Sequence, residues 1–225
     1  MSSEQNSLTP KRRVVGVLIA LTGIILLAAG AVVGHDYLAH ARLRTHLHAA
    51  VPKVCEDLRQ ERQSLIKAIE AYRGKLGFYP PDHVINRQPL VVDAVTNQLL
   101  YELLGTCHDP AADTFTPAHF PSIHRSLVKS FFGTEGFTNT ALKVDEVQHF
   151  LGAADIEATM AVHNKPDVAL LGYFPAWEGI EPDIYSQIQL SSWRYNSSTP
   201  VHNPGTYDLW IEIRTSQTNI LIGNW

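Results

Sequence analysis

Residues Cys55–Leu76 read CEDLRQERQSLIKAIEAYRGKL. Apolar side chains fall at Cys55, Leu58, Leu65, Ile69, Tyr72 and Leu76, at intervals of 3, 7, 4, 3 and 4. Such intervals return to one side of a helix, so the spacing predicts an amphipathic helix with a single apolar stripe. Glu56, Arg59, Glu61, Arg62, Lys67 and Arg73 are expected to cover most of its other faces. Tyr79-Pro80-Pro81 stops the helix, because the residue before a proline avoids helical angles. The stripe then needs a partner surface.

The C-terminus supplies one. Tyr207, Leu209, Ile211 and Ile213 alternate with Asp208, Trp210, Glu212 and Arg214. Period two is the mark of a strand with one buried face. Thr215–Thr218 reads as a turn, Asn219–Trp225 as a returning strand, and Ser192–Tyr195 as a third strand. Three consecutive strands predict an antiparallel meander whose apolar face covers the helical stripe, with Leu65, Ile69 and Tyr72 against Leu209, Ile211 and Ile213.

Upstream, Pro52 interrupts a helix expected over His35–Ala50, which itself leads back to VVGVLIALTGIILLAAGAVVG at Val14–Gly34. That run has no charge and spans roughly 30 Å as a helix, the thickness of a bilayer core. It predicts a transmembrane anchor, in contact with inner-membrane lipid. Lys11, Arg12 and Arg13 abut its N-terminal end, which places residues 1–13 in the cytoplasm and 35–225 outside the inner membrane, in the periplasm. The fold class expected is therefore α+β. A single N-terminal transmembrane helix continues into the long amphipathic helix, and that helix packs on the C-terminal antiparallel sheet. Between them stands a mostly helical insertion at about 81–191.

Within the insertion, Leu90–Leu104 suits a helix ended by Gly105, while His108–Pro121 holds three prolines and reads as loop. Ser122–Phe132 and Val144–Leu151 look like short helices, and Val168–Phe174 like a buried strand. A formal net charge of −4 argues against nucleic acid, which needs a concentrated basic face. Cys55 and Cys107 could form one disulfide, but neither sits in a CxxC pair that would suggest zinc.

Histidine is the residue type from which a catalytic site could be built. His46 and His48 lie two apart, His119 and His124 five apart, and His35 and His40 flank the expected anchor. None belongs to a zinc signature, and no GxSxG, Walker or GxGxxG motif occurs, so no catalytic, cofactor-binding or metal-binding residue is assigned. Asn196-Ser197-Ser198 fits the glycosylation acceptor pattern but reads as a polar loop.

AIEAYRGKLGFYP (residues 68–80) resembles the end of the long helix in the major pseudopilin of type II secretion systems, and NPGTYDLW (residues 203–210) resembles the stretch leading into that family's closing strands. The order of these segments is that of type IV pilin-like proteins. The prepilin cleavage motif is missing: no glutamate lies in Val14–Gly34. The family's calcium loop is matched only at Asp208, the following stretch being EIRTSQTN, so calcium is not assigned. The resemblance implies a non-enzymatic envelope protein that partners other membrane or secretion-assembly proteins. The alternative is a membrane-anchored enzyme or ligand-binding module with its site in the insertion. A deep pocket lined by His119, His124 and His149 would mark the second; a middle packed solidly on the long helix would mark the first.

Overall fold

In the computed structural model, residues 51–87, 90–152, 160–162, 168–173, 191–214 and 219–225 are described. Helix α1 covers residues 51–76. It buries Val54, Leu58, Leu65, Ala68, Ile69 and Tyr72, while Cys55 and Leu76 are only half-buried. The interval of seven between Leu58 and Leu65 hides a turn that also faces inward. Glu61 and Arg62 stand there, and both reach the sheet: Trp193 Nε1 donates to Glu61 Oε1 at 2.5 Å, and Arg62 Nη1 donates to the Gly223 carbonyl at 2.6 Å. These two residues do not cover a solvent face, as their charge had suggested.

The closing sheet consists of β10 (Arg194–Asn196), β11 (Asp208–Arg214) and β12 (Asn219–Gly223), antiparallel in that order. Tyr195 pairs with Leu209, Ile211 with Ile222 and Ile213 with Ile220. All six are buried on one face, which is the face β11's alternation provides. A second antiparallel group, β7 (Met160–Val162), β8 (Ala169–Tyr173) and β9 (Ser191–Ser192), abuts it. Trp193 joins the two: its N–H donates to the Leu171 carbonyl at 2.8 Å. Residues 191–196 thus pair first with β8 and then with β11.

The middle differs most from expectation. It holds a hairpin of β1 (Val84–Arg87) and β2 (Leu90–Val92), then helix α2 (Leu99–Leu104). A four-stranded sheet follows in the order β5-β4-β3-β6, made from β3 (Thr106–Asp109), β4 (Thr114–Pro117), β5 (Ile123–His124) and β6 (Thr140–Ala141), with β6 parallel to β3. Helix α3 spans Arg125–Phe132, and Val144–Glu146 is one 3-10 turn. Over its described residues the insertion, expected to be mostly helical, is therefore corrected to short strands with two short helices and a 3-10 turn. Local chemistry explains the change. Asp93 Oδ1 accepts from the Val95 and Thr96 N–H groups and turns the chain after the β-branched pair Val91-Val92, so only six residues remain for α2. Asp109 Oδ1 likewise accepts from the Ala111 and Ala112 N–H groups, which makes the expected loop over His108–Pro121 a hairpin.

The membrane architecture is corrected too. Among the described residues no helix is long and apolar enough to cross a membrane. The longest of them, α1, carries charge along its length, including two charged residues on its inward face. The single-pass inner-membrane placement with a periplasmic domain is withdrawn on this ground. The segment Val14–Gly34 on which it rested lies outside the described residues, as do His35, His40, His46 and His48.

Leu65, Ile69 and Tyr72 on α1 are each buried, as are Leu209, Ile211 and Ile213 on β11. Ile69→Ala and Ile211→Ala are each expected to cost about 2–5 kcal/mol. Urea unfolding of the protein checks this, and two unchanged midpoints would show that this core does not hold the fold.

Candidate functional site

Two places gather polar chemistry near open surface. The first is a cleft of about 310 Å³ on the four-stranded sheet, lined by Gly105, Cys107, Asp109, Thr116, Pro117, Ala118, Val144, Val147 and His149. Strand alternation builds it. Cys107 and Asp109 lie on one face of β3 and, through the pairing of Cys107 with Thr116, share that face with β4. The opposite face carries Phe115, whose ring stacks with His108 at 4.7 Å and meets Phe137 edge-on at 5.5 Å. One face of this sheet is therefore core and the other is cleft.

Gly105 lets the cleft's far wall approach. Its φ is +68°, and a Cβ there would stand 2.5 Å from both the Gln148 carbonyl and Val147 Cγ1. His149 Nδ1 lies 2.5 Å from the Leu104 carbonyl, a bond that fixes the ring to the end of α2. His119 and His124 are elsewhere. His119 occupies a positive-φ turn after β4, and His124 Nδ1 caps α3 by accepting from the Ser126 N–H at 3.2 Å. The three histidines expected of an enzymatic pocket are thus not brought together. Cys55 and Cys107 are both free thiols, on α1 and β3. Among the described residues no group of three or more His, Cys, Asp or Glu side chains could hold a metal ion.

The second place is the loop between β10 and β11. Two buried carboxylates organise it. Asp82 Oδ2 accepts from the Ser197 and Ser198 N–H groups at 2.8 Å each, and its Oδ1 accepts from Ser198 Oγ at 2.6 Å. Asp208 Oδ2 accepts from the Val201 and His202 N–H groups at 2.6 and 2.9 Å, and its Oδ1 from the Asn203 N–H at 2.9 Å. Calcium requires about six to eight oxygen ligands. Here N–H donors occupy the carboxylate oxygens, so hydrogen bonds close the loop. Glu212 is not part of this arrangement; it lies on the outer sheet face between Arg194 at 3.3 Å and Arg214 at 2.7 Å. The Arg214 hydrogen bond, with Asn219 beside it, holds that carboxyl below the usual range. Asn196 uses its side-chain amide within the loop, bonding both backbone groups of Thr199.

Apolar side chains are exposed on this loop, on β12 and at the C-terminus. Val201 is 78% exposed, and Leu221 and Trp225 are about half exposed. Trp225 stacks on His202 with ring centroids 3.9 Å apart and meets Trp210 at 6.0 Å. Gly223 admits that ring, since a Cβ there would lie 2.8 Å from it. Sequence reasoning passed over this cluster, although Trp210 stands on the outward phase of β11's alternation and Trp225 two residues beyond β12.

No family model, curated protein or solved structure matches the chain. The inner-membrane, envelope and secretion descriptions that accompanied the family resemblance are accordingly not retained.

Removing Asp208 as Ala takes the common acceptor from the Val201, His202 and Asn203 N–H groups, at about 0.5–1.5 kcal/mol for each bond because these part-buried donors can turn to water. Thermal melting is expected to show a clear loss of stability in Asp208→Ala, and no rise in the native Tm on adding millimolar calcium. A calcium-dependent rise in the native protein would show that the loop is a cation site after all.

Proposed function

We propose that this domain is a non-enzymatic interaction module, a subunit of a protein assembly. The observation that carries the reading is the fixed terminal loop and outer sheet face. Buried Asp82 and Asp208 hold the backbone rigid from within, while Val201, Leu221 and Trp225 stand in solvent. Exposed apolar side chains on a preorganised frame are the usual form of a protein-docking surface. Two further features support it. The middle of the chain packs onto α1, with Tyr72 bonded to Glu102 of α2 and its ring 5.1 Å from that of Phe150. The cleft beside Cys107 gathers no second histidine near His149.

The competing reading, a ligand-binding or catalytic site in the middle segment, rests on that cleft. Placing a photo-crosslinking residue at Leu221 or Val201 of the full chain in its native cells separates the two. Discrete light-dependent protein adducts are expected from both positions and none from Glu135 on the far loop. Cys107→Ala and His149→Ala are expected to leave the adduct yield unchanged. Absence of adducts at 201 and 221 would overturn the proposal.

A further inference from the structure

We propose that the open edge of β12 pairs with β12 of a second copy of this chain, antiparallel about a two-fold axis at Leu221. The proposal rests on the interaction-module reading and names its partner. β12 ends its sheet, so one side of its backbone bonds β11 and the other meets no strand among the described residues. Hydrogen bonds elsewhere in the sheet fix which groups face outward. The Asn224 N–H donates to the Leu209 carbonyl at 3.1 Å, while the Tyr195 N–H turns away from β11 to the Ala94 carbonyl at 3.0 Å. Ile211 faces Ile222 and Ile213 faces Ile220, so antiparallel alternation aims the Ile220 and Ile222 backbone groups at β11. Those of Asn219, Leu221 and Gly223 point outward. Of these, the Gly223 carbonyl accepts from Arg62 Nη1.

Exposed edges usually carry a device against pairing, such as a lysine, a proline or a bulge. Asn219-Ile220-Leu221-Ile222-Gly223 has none: it is uncharged, lacks proline and pairs with β11 without a register shift. Read in either direction from Leu221, it runs leucine, isoleucine, then a small or polar residue. A two-fold axis there sets Leu221 against the partner's Leu221 and Asn219 against the partner's Gly223. Isoleucine stays beside isoleucine on the inner face. The ladder so formed closes roughly six N–H···O=C bonds, two for each outward-facing pair. The Gly223 carbonyl keeps a second lone pair for its share.

The outer face selects a second copy over an unrelated extended peptide. Leu221 is 56% exposed and Trp225 46%. The Trp225 ring lies over Gly223, so in this register it stands diagonal to the partner's Leu221. Diagonal neighbours are about 7–8 Å apart, within reach of an indole. Each copy thus covers the other's leucine with its own ring, which a bare strand does not supply. Charges agree with this register. Arg214 faces Asn219 and so shares a row with the partner's Gly223 and the ring above it, a cation on the side of an indole. Glu212 faces Leu221 and is bonded to Arg194 and Arg214. The two copies' Glu212 residues stand three strand spacings apart, about 14 Å, beyond the screening length of about 8 Å. One five-residue strand makes an interface well below the standard size of about 1,600 Å², so association is expected in the micromolar range.

The test is hydrogen exchange of the full chain, resolved to single amides by mass spectrometry across the micromolar range, with sedimentation velocity on the same samples. The Leu221 and Gly223 N–H groups are expected to gain at least about tenfold protection as the dimer fills, while those of Ile220 and Ile222 stay protected throughout. Leu221→Lys changes a side chain already in solvent and sets two cations against each other at the axis. It is expected to keep the native Tm and abolish the dimer. With Cys55 and Cys107 replaced by Ala, Leu221→Cys is expected to join two chains through a short bis-maleimide, and Val201→Cys, off the axis, is not. A chain that stays monomeric, a dimer that survives Leu221→Lys, or Leu221 protection independent of concentration overturns the proposal. Photo-adducts at 221 to a different protein, with the purified chain monomeric, remove this partner and leave the interaction-module reading standing. No adduct at 201 or 221 removes both.

Discussion

Glu102 has no exposed surface, and its two carboxylate oxygens receive three donors from separate parts of the chain. Tyr72 OH donates to Oε2 at 2.8 Å, the Asn139 N–H to the same oxygen at 2.9 Å, and the Thr138 N–H to Oε1 at 2.7 Å. Through these bonds one side chain of α2 fixes the long helix α1 and the segment entering β6. Asn139 extends the junction, its Nδ2 donating to the carbonyls of Glu102 and Gln148. Burial pushes the Glu102 carboxyl upward, while the Thr138, Asn139 and Tyr72 donors oppose it. A buried carboxyl is tolerable only with such satisfaction, and losing any arm leaves an orphaned polar group at about 1–3 kcal/mol. The middle of the chain is thereby bound to the helix by directional bonds that cannot slide.

This constraint explains why α2 exists. Six residues are too few for a helix to be stable on propensity, since nucleation is costly and isolated helices need about twelve or more. All six residues from Leu99 to Leu104 are buried. Tyr101 stacks on Phe137 at 4.5 Å and meets Phe132 at 5.5 Å, while its hydroxyl accepts from the Ala169 N–H at 3.1 Å. Packing on every side thus supplies what local preference does not. The same burial raises the Tyr101 hydroxyl to about 12, so it stays protonated under ordinary conditions. Gly105 ends the helix and lets the 147–149 segment close over it, which forms the far wall of the cleft.

The parts of the fold legible in the sequence are those where periodicity is long and unbroken. The stripe from Leu58 to Tyr72 and the alternation from Leu209 to Ile213 each specify a face. Legibility failed where packing overrode local preference: α2 is buried on all sides, Glu102 included, and so has no stripe to read, and β5, β6 and β9 are two residues each. It failed again at Glu61 and Arg62, where charge suggested solvent although the helical phase pointed inward. The phase was the better guide, because an interval of seven along a stripe implies an occupied inward turn between its ends. The roles of Asp82 and Asp208 depend on loop conformation, which no periodicity encodes. Neither the exposed stacking of Trp225 on His202 nor the cleft could be derived before the strands were placed.

Four of the carboxyls that reach the interior, Asp82, Asp208, Glu102 and Glu61, separate by the donors they receive. Asp82 and Asp208 each accept from at least two backbone N–H groups, and Glu102 from two backbone N–H groups and a hydroxyl. Backbone donors belong to the fold and cannot rotate away, so these three sites act as fixed joints. Glu61 receives one donor, from a side chain that also marks the point where a strand changes partners. A group with several fixed donors rigidifies its surroundings, whereas one held by a single side chain stays responsive to its own charge. The division matches position in the fold. The fixed carboxyls hold the loop and the middle segment in one conformation, and the sparsely bonded one sits at the seam between helix and sheet. At that seam the interface between α1 and the strands is polar at two neighbouring residues, Glu61 bonded to the Trp193 indole and Arg62 to the Gly223 carbonyl.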